Sequence, residues 1–214
     1  MKHPIRRKGT DHRLEPRILV QIPLVHVSFD AFREDGSFEA FFGKNPDPDL
    51  VRRIEGGNTA YWDEVDRWLE GESFDKVYQE ASVVESSAQE FLEGFGKYRG
   101  RDRNANAFFR LVERGVTFVT TESTYKRNES NRRRIFEEGD GLEPIDSYIA
   151  SRINDTLCSG EKGVLFLGLD HKVDQILNER HINITAQRFP KDITYLKELA
   201  QQLAKSAEHQ THSA

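Results

Sequence analysis

Four of the five strands that the sequence predicts end in a side chain that can bind a metal ion or move a proton. The strands are predicted near residues 18–27, 75–80, 116–121, 164–169 and 182–186. The side chains at their carboxyl ends are His26 (followed by Asp30), Glu80, Glu122, and His171 (preceded by Asp170). Parallel strands place their carboxyl ends at one edge of a sheet, so two imidazoles and several carboxylates are expected to converge there.

This combination of residue types predicts hydrolytic acid–base chemistry, either with or without a bound metal. Mixed imidazole and carboxylate ligands suit zinc, manganese or iron. The predicted metal ligands are His26, Asp30, Glu122, Asp170 and His171. The predicted catalytic residues are Glu80, as general base to a water molecule, with His26 and His171 as proton carriers. Glu122 is a predicted ligand or orienting group.

Two simpler interpretations remain open at this point. Charged residues at strand ends are commonly just solvated, as they would be in a non-catalytic binding or scaffold protein. His171 could also serve only as the cap of the helix that follows it. The spacing is not a compact motif such as His-Glu-x-x-His, so the residues alone do not decide among these alternatives.

The elements that must position these residues are organised around one apolar segment. The run from Val164 to Leu167 fits a strand that is buried on both faces, as in a parallel sheet, and it ends at Gly168. Strands alternate with helical segments along the rest of the chain. This alternation predicts an α/β fold with a mostly parallel sheet of about five strands and helices on both faces.

Local signals place the helices between the strands. Gly56-Gly57 predicts the end of a helix capped by Asp47, with a second helix over 59–70. Ser87 and Glu90 resemble a capping box, and Asp102 is a predicted helix cap. Further helices are predicted from Pro144 onward, over 173–179 and over 192–205. The predicted organisation is a flexible segment at 1–16, a single α/β domain at 17–205 and a disordered tail at 206–214.

Composition limits the partners and the compartment. The 214 residues include 31 Lys and Arg against 36 Asp and Glu, a net charge of -5, which does not favour nucleic-acid binding. No apolar run reaches membrane-spanning length. The single cysteine, Cys158, excludes an intramolecular disulfide, and a reducing cytoplasm is the simplest inference. The expected partner is a small-molecule or peptide substrate, and a homo-oligomer is compatible with the sequence.

Three short motifs resemble the broad superfamily of TraB, Tiki, erythromycin esterase and ChaN proteins. Those proteins share a strand ending in His, a strand ending in Glu, and a helix leading to a strand with Gly-x-x-His. The similar stretches here are 22–26 (Ile-Pro-Leu-Val-His), 76–80 (Lys-Val-Tyr-Gln-Glu) and 168–171 (Gly-Leu-Asp-His), with the preceding helix at 147–153. In organisation the resemblance covers about residues 17 to 187.

The resemblance implies a metal- or haem-associated site, or hydrolysis by paired Glu and His. Substrates in that superfamily range from peptides to lactones, so the resemblance does not fix the substrate. The sequence departs from the pattern at one position, because an Arg often stands before the matched helix and this chain has Ile145 there. That departure leaves a non-catalytic metal-, haem- or ligand-binding role open beside an enzymatic one.

Overall fold

The computed structural model describes residues 15–24, 48–83, 87–136, 141–180 and 182–190, with isolated residues at 194, 198 and 201. The predicted terminal segments and the predicted last helix fall largely or wholly outside these ranges. The elements in chain order are β1 (Arg17–Leu24), α1 (Pro48–Gly71), β2 (Lys76–Val83), α2 (Ala88–Phe95), a 3₁₀ turn (Gly96–Tyr98), α3 (Arg103–Glu113), β3 (Thr117–Glu122), α4 (Thr124–Phe136), α5 (Glu143–Thr156), β4 (Lys162–Gly168), α6 (Val173–Glu179) and β5 (Ile184–Arg188).

The five described strands form one parallel sheet in the order β3-β2-β4-β1-β5. The predicted α/β class and parallel sheet are therefore confirmed. The chain leaves β2 toward β3 at one edge, but it leaves β4 in the opposite direction, toward β5. Since β2 and β4 are neighbours, the crevice at their carboxyl ends is a topological switch point, where open α/β sheets bind ligands.

Two apolar clusters cover the two faces of the sheet, because successive strand residues point to opposite sides. One cluster packs α1, α2 and α3 against residues such as Val77, Val164 and Phe166. The other packs α5 and α6 against residues such as Tyr78, Leu165 and Leu167. Helices thus lie on both faces, as predicted. None of the helices in the described ranges is long and apolar enough to cross a membrane.

Helix α1 passes without a break through Gly56 and Gly57, so the prediction of two helices separated there is wrong. Each helical glycine costs up to ~1 kcal/mol relative to alanine. The buried stripe of Ile54, Tyr61 and Val65 continues on one face across the glycines. Burying a side chain of this size contributes ~1.5–3 kcal/mol, so tertiary packing outweighs the local preference for a helix end.

The local cap signals are borne out in two places. Ser87 caps α2 in a complete capping box, since its hydroxyl accepts from the Glu90 amide and the Glu90 carboxylate accepts from the Ser87 amide. Asp102 caps α3 by accepting from the Ala105 amide at 2.7 Å. The capping box also holds the pKa of Glu90 below its usual range, through hydrogen bonds from the backbone and side chain of Ser87.

Candidate functional site

Glu80 and His171 meet at the switch point between β2 and β4. The Nε2 atom of His171 lies 3.2 Å from Oε1 of Glu80. The other carboxylate oxygen of Glu80 accepts a hydrogen bond from the Gly168 amide at the end of β4. The two strands therefore bring a carboxylate and an imidazole into hydrogen-bond contact from positions 91 residues apart in the sequence.

Asp146 holds the opposite side of the same imidazole. Its Oδ1 atom contacts Nδ1 of His171, and its Oδ2 atom accepts from the Lys172 amide at 2.8 Å. Asp146 lies in the first turn of α5. A helix that leads into a parallel strand runs antiparallel to it, so its first turn lies at the carboxyl edge of the sheet. The result is a linear array of Asp146, His171 and Glu80.

Burial increases along this array from Glu80 to Asp146. The exposed side-chain fraction is 14% for Glu80, 7% for His171 and 2% for Asp146. A molecule approaching from solvent therefore reaches Glu80 more readily than Asp146. This gradient suits a site in which the outer carboxylate meets a substrate and the inner one orients the imidazole.

Two carboxylates keep the imidazole protonated. Burial alone would lower the pKa of His171, but hydrogen bonds to Asp146 and Glu80, together with the charges of both, raise it to about 10. The side chain is therefore an imidazolium at neutral pH and donates from both ring nitrogens. The array carries one positive charge between two carboxylates and can shift a proton between Nε2 and Glu80.

Glu80 is followed by a break in the regular ladder of β2. Gln79 pairs with Thr120 of β3, but the next pair is Val83 with Glu122, so the register shifts in between. Ala81 lies in this bulge with φ of 66°. Alanine in the left-handed region is unfavourable by ~1–2 kcal/mol, so surrounding contacts must hold it there.

Glu122 contacts the bulge rather than the imidazole. It is buried at the end of β3, where Oε1 accepts from the Ala81 amide at 2.6 Å. Its Oε2 atom accepts from Arg127, at 3.0 Å from Nε and 2.7 Å from Nη2. Since β2 lies between β3 and β4, Glu122 and His171 come from strands that are not adjacent.

The other predicted site residues are placed as follows. Asp170 is exposed to solvent in the turn after β4. His26 and Asp30 lie outside the described residues. His171 is not a helix cap: Lys172 occupies the cap position of α6, and the imidazole lies between the two carboxylates.

The described residues hold only part of the predicted metal centre, because His26 and Asp30 lie outside them. Within the described ranges, no three His, Cys, Asp or Glu side chains are grouped so that they could hold a metal ion. Both ring nitrogens of His171 already contact carboxylates, whereas a metal ligand needs a neutral imidazole with one nitrogen free. The metal centre stays a prediction, and the proposed chemistry uses protein groups alone.

Asp146 is the site residue that our sequence analysis did not assign. A signal was present, because Asp146, Ile149, Ala150 and Ile153 recur at the spacing of one helix face. An acid that begins an otherwise apolar face indicates a buried carboxylate, which needs a partner. The same face includes Ile145, which is buried in the apolar cluster of α5 and α6.

Comparison with protein-family models, with curated proteins and with solved structures gives no match for this chain.

Proposed function

We propose that this protein is a hydrolase in which Glu80 and His171 form the acid–base pair and Asp146 orients the imidazole. The observation that carries the proposal is the contact between Glu80 and His171 at a topological switch point, with a buried carboxylate behind the ring. The resemblance to TraB, Tiki, erythromycin esterase and ChaN proteins supports the same reaction class. The proposed substrate is a small molecule or peptide with an ester, amide or lactone bond, and the cytoplasmic location indicated by the cysteine content is part of this proposal.

The array supports a balanced reaction. Glu80 takes a proton from a water molecule as the water oxygen bonds to the substrate carbonyl carbon. The bond from that carbon to the leaving oxygen or nitrogen then breaks, and the His171 Nε2–H group protonates the leaving atom. The proton on Glu80 finally returns to Nε2 across the 3.2 Å contact, which restores the starting state. Asp146 keeps the ring in place throughout.

The test is hydrolysis of a panel of activated esters, lactones and amides by purified protein. Glu80→Gln keeps the shape of the side chain but cannot accept the proton, so kcat should fall ~10²–10⁴-fold, the usual contribution of a general base. Glu72→Gln is the matched control, because Glu72 pairs with Lys162 at the amino-terminal edge of the sheet. Wild-type turnover in Glu80→Gln, in a protein with demonstrated activity, would contradict the assigned role.

A non-catalytic binding or scaffold role is the second candidate, and one observation favours it. Asp146, His171 and Glu80 satisfy one another's polar atoms within the fold, as a purely structural network also does. The two functions differ in their expected results. Under either function Glu80→Gln should lose some stability, because Glu80 helps to hold the imidazolium. A structural network predicts that the wild-type protein turns over no substrate of the panel, whereas the hydrolase predicts wild-type turnover that Glu80→Gln loses while still folded.

A further inference from the structure

The bulge of β2 determines where the Glu80 carboxylate lies. The ladder between β2 and β4 ends at the pair of Gln79 with Phe166. Beyond that pair the Glu80 side chain accepts from the Gly168 amide. The carboxylate thus takes the place of the next ladder bond, and it can do so because the backbone turns away at Ala81.

Contacts with β3 and within β2 hold the bulge in place. The buried Glu122 carboxylate accepts the Ala81 amide, which the bulge removes from the ladder. The Ser82 hydroxyl contacts the Gln79 carbonyl and accepts from the Thr121 amide at 3.0 Å. These contacts hold a backbone conformation that alanine does not favour by itself.

We propose that Glu122 is a positioning residue that holds the Ala81 bulge, and through it sets the Glu80 carboxylate against His171 and Gly168. Arg127 completes the arrangement by donating two hydrogen bonds to Oε2 of Glu122, which leaves Oε1 directed at the Ala81 amide. The catalytic meaning of this positioning rests on the proposed function, but the geometric claim can be tested without a substrate.

The experiment is amide hydrogen exchange by NMR on the full chain, with Gly168 as the reporter for Glu80. In Glu122→Ala we expect exchange at Gly168 and Ala81 to accelerate by about tenfold or more. The amide of Val164, in the middle of β4, should keep its wild-type protection, since it lies in the regular ladder. Glu72→Ala is the control and should leave Gly168 unchanged.

A second substitution separates positioning from general destabilisation. Ala81→Gly supplies a residue that adopts positive φ readily. Adding it to Glu122→Ala should return Gly168 protection to within about threefold of wild type, because the bulge no longer needs Glu122. Arg127→Met, at a partly exposed position, should also reduce the protection of the Gly168 amide, but by a smaller factor than Glu122→Ala. If Glu122→Ala does not fold, Glu122→Gln serves in its place, since one amide oxygen cannot satisfy both Ala81 and Arg127.

Two results would overturn the proposal. The first is unchanged Gly168 protection in a Glu122 variant whose Ala81 amide exchanges faster. The second is failure of Ala81→Gly to restore protection at Gly168. Neither result depends on turnover, so failure of this inference and failure of the hydrolase proposal are distinguishable. Where turnover is measurable, the Glu122 variants should lower kcat with little change in KM, and Ala81→Gly should recover it.

Discussion

Replacing Asp146 with asparagine is expected to change the pH dependence of folding as well as the stability at one pH. The substitution keeps the size of a buried side chain but removes one of the two charges that hold the His171 imidazolium. The asparagine oxygen can serve the imidazole or the Lys172 amide, but not both in the geometry that the carboxylate provides. The pKa of His171 should therefore fall from about 10 toward its ordinary value of 6.5.

The contribution of His171 to the free energy of unfolding of the wild-type protein follows from that pKa. Each pKa unit corresponds to about 1.4 kcal/mol, so a rise from 6.5 to about 10 amounts to on the order of 5 kcal/mol. Above pH 6.5 the unfolded chain loses a proton that the folded chain retains. The contribution of His171 to the free energy of unfolding is thus fully present below pH 6.5 and is lost as pH rises through about 10, by up to about 1.4 kcal/mol per pH unit.

The assay is urea denaturation of wild type and Asp146→Asn at several values between pH 6.5 and 10. Near pH 7 the variant should be less stable by about 3 kcal/mol, the low end for removing one partner of a buried ion pair, because Glu80 remains. The difference in free energy of unfolding between the two proteins should become smaller toward pH 10, where the wild-type imidazole also loses its proton. Asp155→Asn is the matched control, since Asp155 is an exposed acid on the same helix.

The reasoning would be refuted if both proteins lost stability in parallel from pH 6.5 to 10. NMR detection of the ring nitrogens gives an independent check, because His171 should titrate well above pH 8 in wild type and at a lower pH in the variant, where only Glu80 still raises the pKa. A wild-type imidazole that titrates near pH 6.5 would show that the carboxylates do not hold the proton.

Two further predictions concern the fold. Gly56→Ala should raise the free energy of unfolding by about 0.5–1 kcal/mol, because the added methyl group meets open space on a helical residue; lower stability in chemical denaturation would argue against an unbroken α1. Gly163→Ala should lower stability by about 1–3 kcal/mol, since its Cβ would lie 3.0 Å from Tyr78 and 3.2 Å from Leu157; unchanged stability would mean that these neighbours can move aside.

The sequence predicted the sheet because its strands are apolar, short and separated by helical segments. Val164 to Leu167 is fully buried in the centre of the sheet, as its composition indicated. The Gly56-Gly57 pair misled the prediction, because a local helix-ending signal cannot show that a buried stripe continues beyond it. The extent of that stripe depends on what α1 packs against, and this is a tertiary property.

The sequence predicted which residues lie at strand ends, but it did not predict which strands are neighbours in the sheet. Placing Glu80 and His171 at strand ends required periodicity alone, but their contact depends on β2 lying beside β4. The same order places Glu122 one strand farther away, against the bulge. Nothing in the residues Glu80-Ala81-Ser82 indicates a left-handed conformation, which is usually adopted by glycine. That conformation arises from Glu122, a partner 41 residues later in the chain.

The position of β1 in the sheet has a consequence for the order of events during synthesis. Ile18 pairs with Lys162 on one side and Thr185 on the other, so both neighbours of the first strand are made near the end of the described chain. By contrast, Lys76 pairs with Thr117, and these two strands can associate with their helices much earlier. During synthesis β1 is therefore an apolar segment without its ladder partners until β4 and β5 have been translated. In that interval its exposed apolar residues make it a site for binding by a chaperone.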